Sequence, residues 1–321
     1  MLNFKIQSYL FLVIFFFISY PVCSQTKNIN QAINHSLHWL YQNPILPKQD
    51  GLIGLLEVTI FYYAAIILDK NKTHQKYLHQ KLQENSLELN KVLIQMIQNP
   101  RYLESKYTRS TLSIAAFILK EQGILNTYLV KALNIIQTNY FYKEEPIAYY
   151  VWSNYYICRV INHCSLTPTD IFNQSLTFDI LNQNKLSLFL QKLQSSNNTP
   201  YILTTLYTIT HDIFAITNFS RIHTININQI QFLNLNKLLH QGIQWSVTNK
   251  QWDLLGELII CATNLKIIHP LEGQKLIKII LKKQLSNGSW GEMNLNRSHK
   301  VRHGVLTLTM ALMSLQNTLS I

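Results

Sequence analysis

Five residues of this 321-residue chain pair chemical capability with a setting that makes them stand out. His211-Asp212 interrupts an apolar run from Tyr207 to Phe214. Asp253 and Glu257 lie four apart, and therefore on one face of a helix. His303 opens a late apolar stretch, with His299 one helical turn before it. Imidazoles beside carboxylates suit general acid–base work, because histidine titrates near neutrality and a neighbouring charge moves it readily. The same donors suit a divalent metal such as zinc, with His211, Asp253 and His303 as the expected ligands. Asp253 and Glu257 are also the pair to consider for glycan hydrolysis by two carboxylates.

Each of these residues also has a plain structural reading. Asp253 fits the first turn of a helix, where the helix dipole favours an acid. Glu257 fits a solvated or ion-paired side chain. His211-Asp212 fits a buried hydrogen-bonded pair that ties two helices together. His303 fits a helix terminus bonded to a backbone carbonyl. His35 and His38, three apart, fit a helix surface better than a metal site. Tyr149, Tyr150, Trp152 and Asn154 are of types that line carbohydrate grooves, but they fit an aromatic core better. No Ser–His–Asp signature, phosphate-binding loop or HExxH pair occurs.

The elements that must hold these residues read as helices throughout. Gly and Pro number only 9 and 8, too few for a turn-rich β fold, and no series of period-2 strands appears. Apolar positions recur at helical spacing in Ile29–Tyr41, Leu55–Leu68, Ser86–Ile97, Thr111–Lys120 and Leu125–Ile136. They do so again from Pro200 to about Phe214, and in Asn226–Val247, Trp252–Leu265, Pro270–Leu285 and His299–Leu315. Asn43-Pro44, Asn99-Pro100 and Gln122-Gly123 punctuate them. Residues 173–198 are polar and Asn-rich and carry only a weak pattern. The chain thus predicts about a dozen helices of roughly 10–20 residues joined by short loops. Several are apolar all round, which demands burial on both sides. An inner ring of helices wrapped by an outer amphipathic ring meets that demand, as does a solenoid, although no fixed repeat period is present.

Composition bounds the setting. Apolar residues make up 47% and charged residues 14%, enough to build a core and too apolar for disorder. The net charge is +12, but its basic residues are scattered and not interleaved with aromatics, so a nucleic-acid partner is not expected. Residues 1–24 have the layout of a secretory signal peptide. Lys5 precedes an apolar run from Tyr9 to Ile18, and Val22-Cys23-Ser24 offers small residues for cleavage. The expected product is an exported protein, periplasmic or secreted, with one all-helical domain over residues 25–321, a charge of +11 and no stable membrane span. It retains Cys158, Cys164 and Cys261, which fit small buried hydrophobes better than a disulfide framework.

One segment adds a resemblance. Gln284-Leu285-Ser286-Asn287-Gly288-Ser289-Trp290-Gly291 resembles the Q-x₃-G-x-W turn of α/α-toroid proteins such as terpene cyclases and prenyltransferase β subunits. In that turn the glutamine caps backbone groups and the tryptophan packs over it. Asp50-Gly51-Leu52-Ile53-Gly54 is similar to a degraded earlier copy. The resemblance implies an all-α fold, an α/α toroid with inner and outer rings. His303, following the turn, resembles a prenyltransferase zinc ligand. The match is incomplete, because Asp253 is followed two residues later by Leu255 where that family has a cysteine. The Cys-His-Gly of lanthionine-forming cyclases is Arg302-His303-Gly304 here, and terpene cyclase acidic clusters are absent. Thr210–Phe214, Trp252–Glu257 and His303 also resemble an uncharacterised bacterial family of helical proteins. The functional expectation is a central polar cavity, in an enzyme or a degenerate enzyme, that takes a small-molecule, peptide or glycan ligand. The alternative is a non-catalytic binding protein that uses its concave helical face.

Overall fold

The computed structural model describes residues 28–44, 47–99, 101–104, 106–138, 148–161, 167–195, 199–221, 227–290 and 298–319. The expected signal peptide lies outside these residues, as do Cys164 and the side chains of His299, Tyr149, Tyr150 and Trp152. The first half of the chain contains α1 (28–42), α2 (Pro47–Leu68), α3 (Lys72–Ile97), α4 (Arg101–Glu104), α5 (Lys106–Glu121), α6 (Thr127–Ile136) and α7 (Ala148–Ile161). The second half contains α8 (Pro168–Gln174), α9 (Leu176–Ile180), α10 (Gln183–Ser195), α11 (Thr199–Ile216), α12 (Gln229–Thr248), α13 (Trp252–Asn264), α14 (Pro270–Lys283) and α15 (Ser298–Thr318). Among the described residues there is no strand, only an isolated bridge between Gln284 and Trp290.

Local chemistry sets the helix ends. Asn71 accepts a hydrogen bond from the Thr73 amide to start α3. Reciprocal capping boxes start α8 at Thr167/Asp170 and α12 at Asn228/Gln231. The polar stretch from Lys72 and the more apolar one from Ser86 form a single 26-residue helix, because no breaker separates them. The Asn-rich segment with the weak pattern holds α8, α9 and α10, short helices held by their caps rather than by periodicity. Gly51, at φ 67°, interrupts α2 where the sequence predicts a turn.

Packing sorts the helices into two sets. In the first set α2 packs on α5, α5 on α7, α7 on α11, α11 on α13, α13 on α15, and α15 back on α2. In the second, α3 packs on α2 and α5, α6 on α5 and α7, and α8 and α9 on α11. Likewise α12 packs on α13 and α14 on α15. The tightest of these contacts is between α13 and α15. A Cβ on Gly256 would lie 2.7 Å from the Thr307 carbonyl carbon, so the two backbones meet where only glycine fits. Within α2, the 18 residues Gly51–Leu68 are long and apolar enough to cross a membrane, but 61% of that stretch is buried inside the fold, as a core helix requires.

The turn after α14 is tied to α1. The Gln284 side-chain amide donates to the Ala32 carbonyl at 2.9 Å and to Ser36 Oγ at 3.0 Å, both on α1. Trp290 is buried and its indole N–H donates to the Ile280 carbonyl at 3.1 Å. Gly288 has φ +90°, and a Cβ there would sit 2.2 Å from the His35 carbonyl oxygen. The glutamine amide thus donates to backbone on both sides, to Ala32 of α1 and, at 3.3 Å, to the Gly288 carbonyl of its own turn.

Candidate functional site

The site is built on helix faces. On α11, Tyr207, His211 and Phe214 fall at i, i+4 and i+7 and share one side. On α13, Glu257 sits one turn after Asp253. On α15, His303, Thr307 and Met310 repeat the helical spacing, as do Ile53, Glu57 and Ile60 on α2. These faces line a cavity of about 590 Å³ together with Ser110, Thr111 and Ile114 of α5, Tyr156 of α7, and Phe219 in the turn after α11. The lining is mostly apolar, and its titratable groups gather around Glu257.

Glu257 is the centre of that group. Its side chain is only 3% exposed. Oε1 lies 3.2 Å from His303 Nε2, a hydrogen bond donated by the ring. Oε2 accepts from the Thr210 hydroxyl at 2.5 Å and lies 3.8 Å from His211 Nε2, an ion-pair distance. His303 Nδ1 lies 3.8 Å from the Glu57 carboxylate. His211 is 41% accessible and His303 22%, and both line the cavity.

The electrostatics follow from burial and pairing. Burial alone would raise Glu257, but the charges and hydrogen bonds of His211 and His303 hold it well below the usual carboxylate range. Burial alone would lower His303. The hydrogen bond to Glu257 and the charges of Glu57, Glu257 and Asp253 outweigh that and lift it to about 9. Burial likewise opposes protonation of His211, and Glu257 overcomes it, so this imidazole is raised as well. The raised value favours an imidazolium at His303 near neutral pH, held between Glu257 and Glu57 on the cavity wall.

The structure gathers three of the five residues singled out from sequence and places two apart. His211, Glu257 and His303 converge from three helices. Asp253 is close by but does not line the cavity, and its carboxylate accepts a hydrogen bond from the Tyr207 hydroxyl. Asp212 points away. It accepts from the Thr177 amide at 3.0 Å and the Thr177 hydroxyl at 2.7 Å, so it ties α11 to the start of α9 and is not available to the cavity. The expected ligand set His211, Asp253 and His303 is not assembled either, since the carboxylate between the two imidazoles belongs to Glu257. Among the described residues, no group of three or more His, Cys, Asp or Glu is arranged to hold a metal ion. Cys261 is a buried thiol one turn beyond Glu257, directed at the Thr210 carbonyl, and Cys158 is buried too.

Glu57, Tyr207, Thr210 and Phe219 escaped the sequence reading. Glu57 carried a signal, as the lone charged residue in the apolar stretch from Gly51 to Leu68. Tyr207 and Thr210 carried none, because an aromatic and a threonine inside an apolar helix are ordinary core residues.

One comparison with known proteins bears on this region. A family model described as a domain of unknown function (DUF6895) matches residues 193–302, roughly a third of the chain. The match spans α11 to α14 and includes His211, Asp212, Asp253 and Glu257, and it stops one residue short of His303. No curated protein and no solved structure matches the chain.

Proposed function

We propose that this chain is an α/α toroid whose central cavity binds a small, largely apolar molecule, and that His303 exchanges a proton with the polar end of that molecule. The toroid reading is supported by the order of helix contacts, which runs from α2 through α5, α7, α11, α13 and α15 and returns to α2. It is supported further by the cavity lining, which apart from Phe219 comes from those same six helices. The functional reading rests on one observation. A buried carboxylate, Glu257, holds two imidazoles from separate helices at the wall of an apolar cavity. Burying the Glu257 carboxylate against two partly accessible imidazoles costs far more than packing apolar side chains there, and perturbed groups in a cavity mark functional sites.

The role of each residue follows. His303 is the proton donor and, once deprotonated, the acceptor. Glu257 sets its charge and orientation. His211 shares Glu257 and faces the cavity beside it. Thr210 holds the carboxylate in place. A glycan fits this lining poorly, since sugars need hydrogen-bonding groups along their length and the polar groups here sit in one patch. Export of the protein, as one helical domain from residue 25, is part of the proposal and rests on the N-terminal sequence. Sequencing the N-terminus of protein recovered from its native host checks it, with Gln25 the expected first residue.

The test of function starts from the protein as purified. Organic extracts of the wild type are compared by mass spectrometry with extracts of Met310→Trp, in which a larger ring intrudes on the cavity. A compound present only in the wild-type extract is the expected ligand. Its conversion by the wild type should fall by about 100-fold or more in His303→Gln, the scale of a lost general acid. Conversion undiminished in His303→Gln would overturn the catalytic role. A stable complex with no conversion by either protein would leave the binding protein in its place.

A further inference from the structure

The turn after α11 has backbone geometry that helix capping does not explain. Asn218, Phe219 and Ser220 have φ of 48°, 50° and 73°, three successive left-handed residues with no glycine among them. One such residue closes a helix in the ordinary way, and the Phe219 amide does donate back to the Phe214 carbonyl at 2.8 Å. Asn218 suits that position. The Arg221 amide donates to the Asn218 carbonyl at 3.2 Å, so residues 218–221 form a tight turn with Phe219 and Ser220 at its centre. Such a left-handed centre favours glycine or asparagine, so Phe219 and Ser220 there each cost on the order of 1–2 kcal/mol. Strain of this kind persists where the surroundings hold it and collects at ligand clamps and moving segments.

What the strain achieves is the placement of Phe219. Its ring stacks on Tyr156 of α7 at 6.0 Å and on Phe214 at 6.2 Å, and meets Tyr63 of α2 edge-on at 6.1 Å. Phe214 in turn lies 6.5 Å from the His211 ring, so a row of rings runs from the titratable patch to Phe219. The next residue but one reaches further. The Arg221 guanidinium sits 4.1 Å over the Tyr63 ring and 3.6 Å from the carboxylate of Glu121, the last residue of α5. Tyr63 is near the end of α2, so the turn runs from the end of α11 to the ends of α2 and α5. Phe219 itself is part of the cavity lining.

We propose that this turn is a gate, with Phe219 as its stopper and Arg221 as its latch, through which the apolar ligand enters and leaves the cavity. The proposal rests on the cavity-binding reading above. The strain stored at residues 218–220 favours opening, and the Arg221 contacts to Glu121 and Tyr63 favour closure. Neither contact touches the titratable patch, so the gate governs exchange rather than proton transfer.

The two opposing terms give a test with opposite signs. The probe is N-phenyl-1-naphthylamine, a neutral apolar fluorophore, with association and dissociation followed by stopped-flow fluorescence on the full chain. Ser220→Gly relieves the left-handed strain and should slow both rates by roughly fivefold, because glycine adopts that conformation freely. Arg221→Gln removes the latch and should speed both by roughly fivefold, the scale of one lost cation–π contact. Equilibrium affinity should change little in either variant. If both variants exchange the probe at wild-type rates while Met310→Trp still blocks binding, the gate is wrong and the cavity reading stands. If Met310→Trp binds as tightly as the wild type, the cavity reading itself fails. Loss of folding in Arg221→Gln, read by circular dichroism, leaves Ser220→Gly to decide, since relieving strain does not unfold a chain.

Discussion

A buried carboxylate stripped of its charge partner is worse for a fold than one replaced by a neutral group. His303→Ala leaves Glu257 buried with Thr210 and the more distant His211, so a loss of about 3–5 kcal/mol is expected, read by urea denaturation. Glu257→Gln should cost less and should bring the His303 imidazole back down from about 9, which a ¹⁵N NMR titration reports directly. The sign with pH is fixed by the same shift. His303 is raised from 6.5 to about 9, so its stabilising pairing is fully present below pH 6.5 and is lost as pH rises toward and past 9. The groups facing it are Glu57 from α2 and Glu257 and Asp253 from α13. Asp212 works in the opposite sense for an acid. Burial, only partly offset by Thr177, lifts it to about 6, so the fold weakens as pH rises from about 4 to 6. Asp212→Asn should remove that slope and add up to about 2 kcal/mol at pH 7. Sequence pointed to His211, Glu257 and His303 because polar groups in apolar helices are conspicuous. It could not separate Asp212 from His211, since adjacent residues on a helix face directions about 100° apart and only the packing tells which one meets the cavity.

Between elements, the decisive contact is Gly256 against Thr307. Gly256→Ala forces α13 and α15 apart and should destabilise by about 1–3 kcal/mol, the usual cost of overpacking. Because Glu257 and His303 ride on those two helices, the same substitution should also lengthen their hydrogen bond and lower the His303 titration, a second readout that a surface glycine would not give. The helices themselves were largely legible, because their apolar residues recur with helical period and their ends carry Asn, Thr, Pro and Gly where capping needs them. Residues 173–198 were not, because α8, α9 and α10 are short and held by caps and tertiary contacts. Nor was the role of Phe219, since a phenylalanine after a helix gives no sign of a left-handed backbone.

For the molecule as a whole, Gln284 ties the turn after α14 to α1, and α15 packs on α2, contacts that the proposed toroid requires. The cavity is lined by α2, α5, α7, α11, α13 and α15 together with Phe219, and in the proposed toroid it lies at the centre. Its occupancy is the most direct test. N-phenyl-1-naphthylamine is titrated into the wild type and into Met310→Trp, with circular dichroism to show that both are folded. The expected result is one saturable site in the wild type that is lost in Met310→Trp and changes with pH around 9, as His303 gives up its proton. Binding that is absent from the wild type, or that survives unchanged in Met310→Trp, would contradict a ligand-binding central cavity.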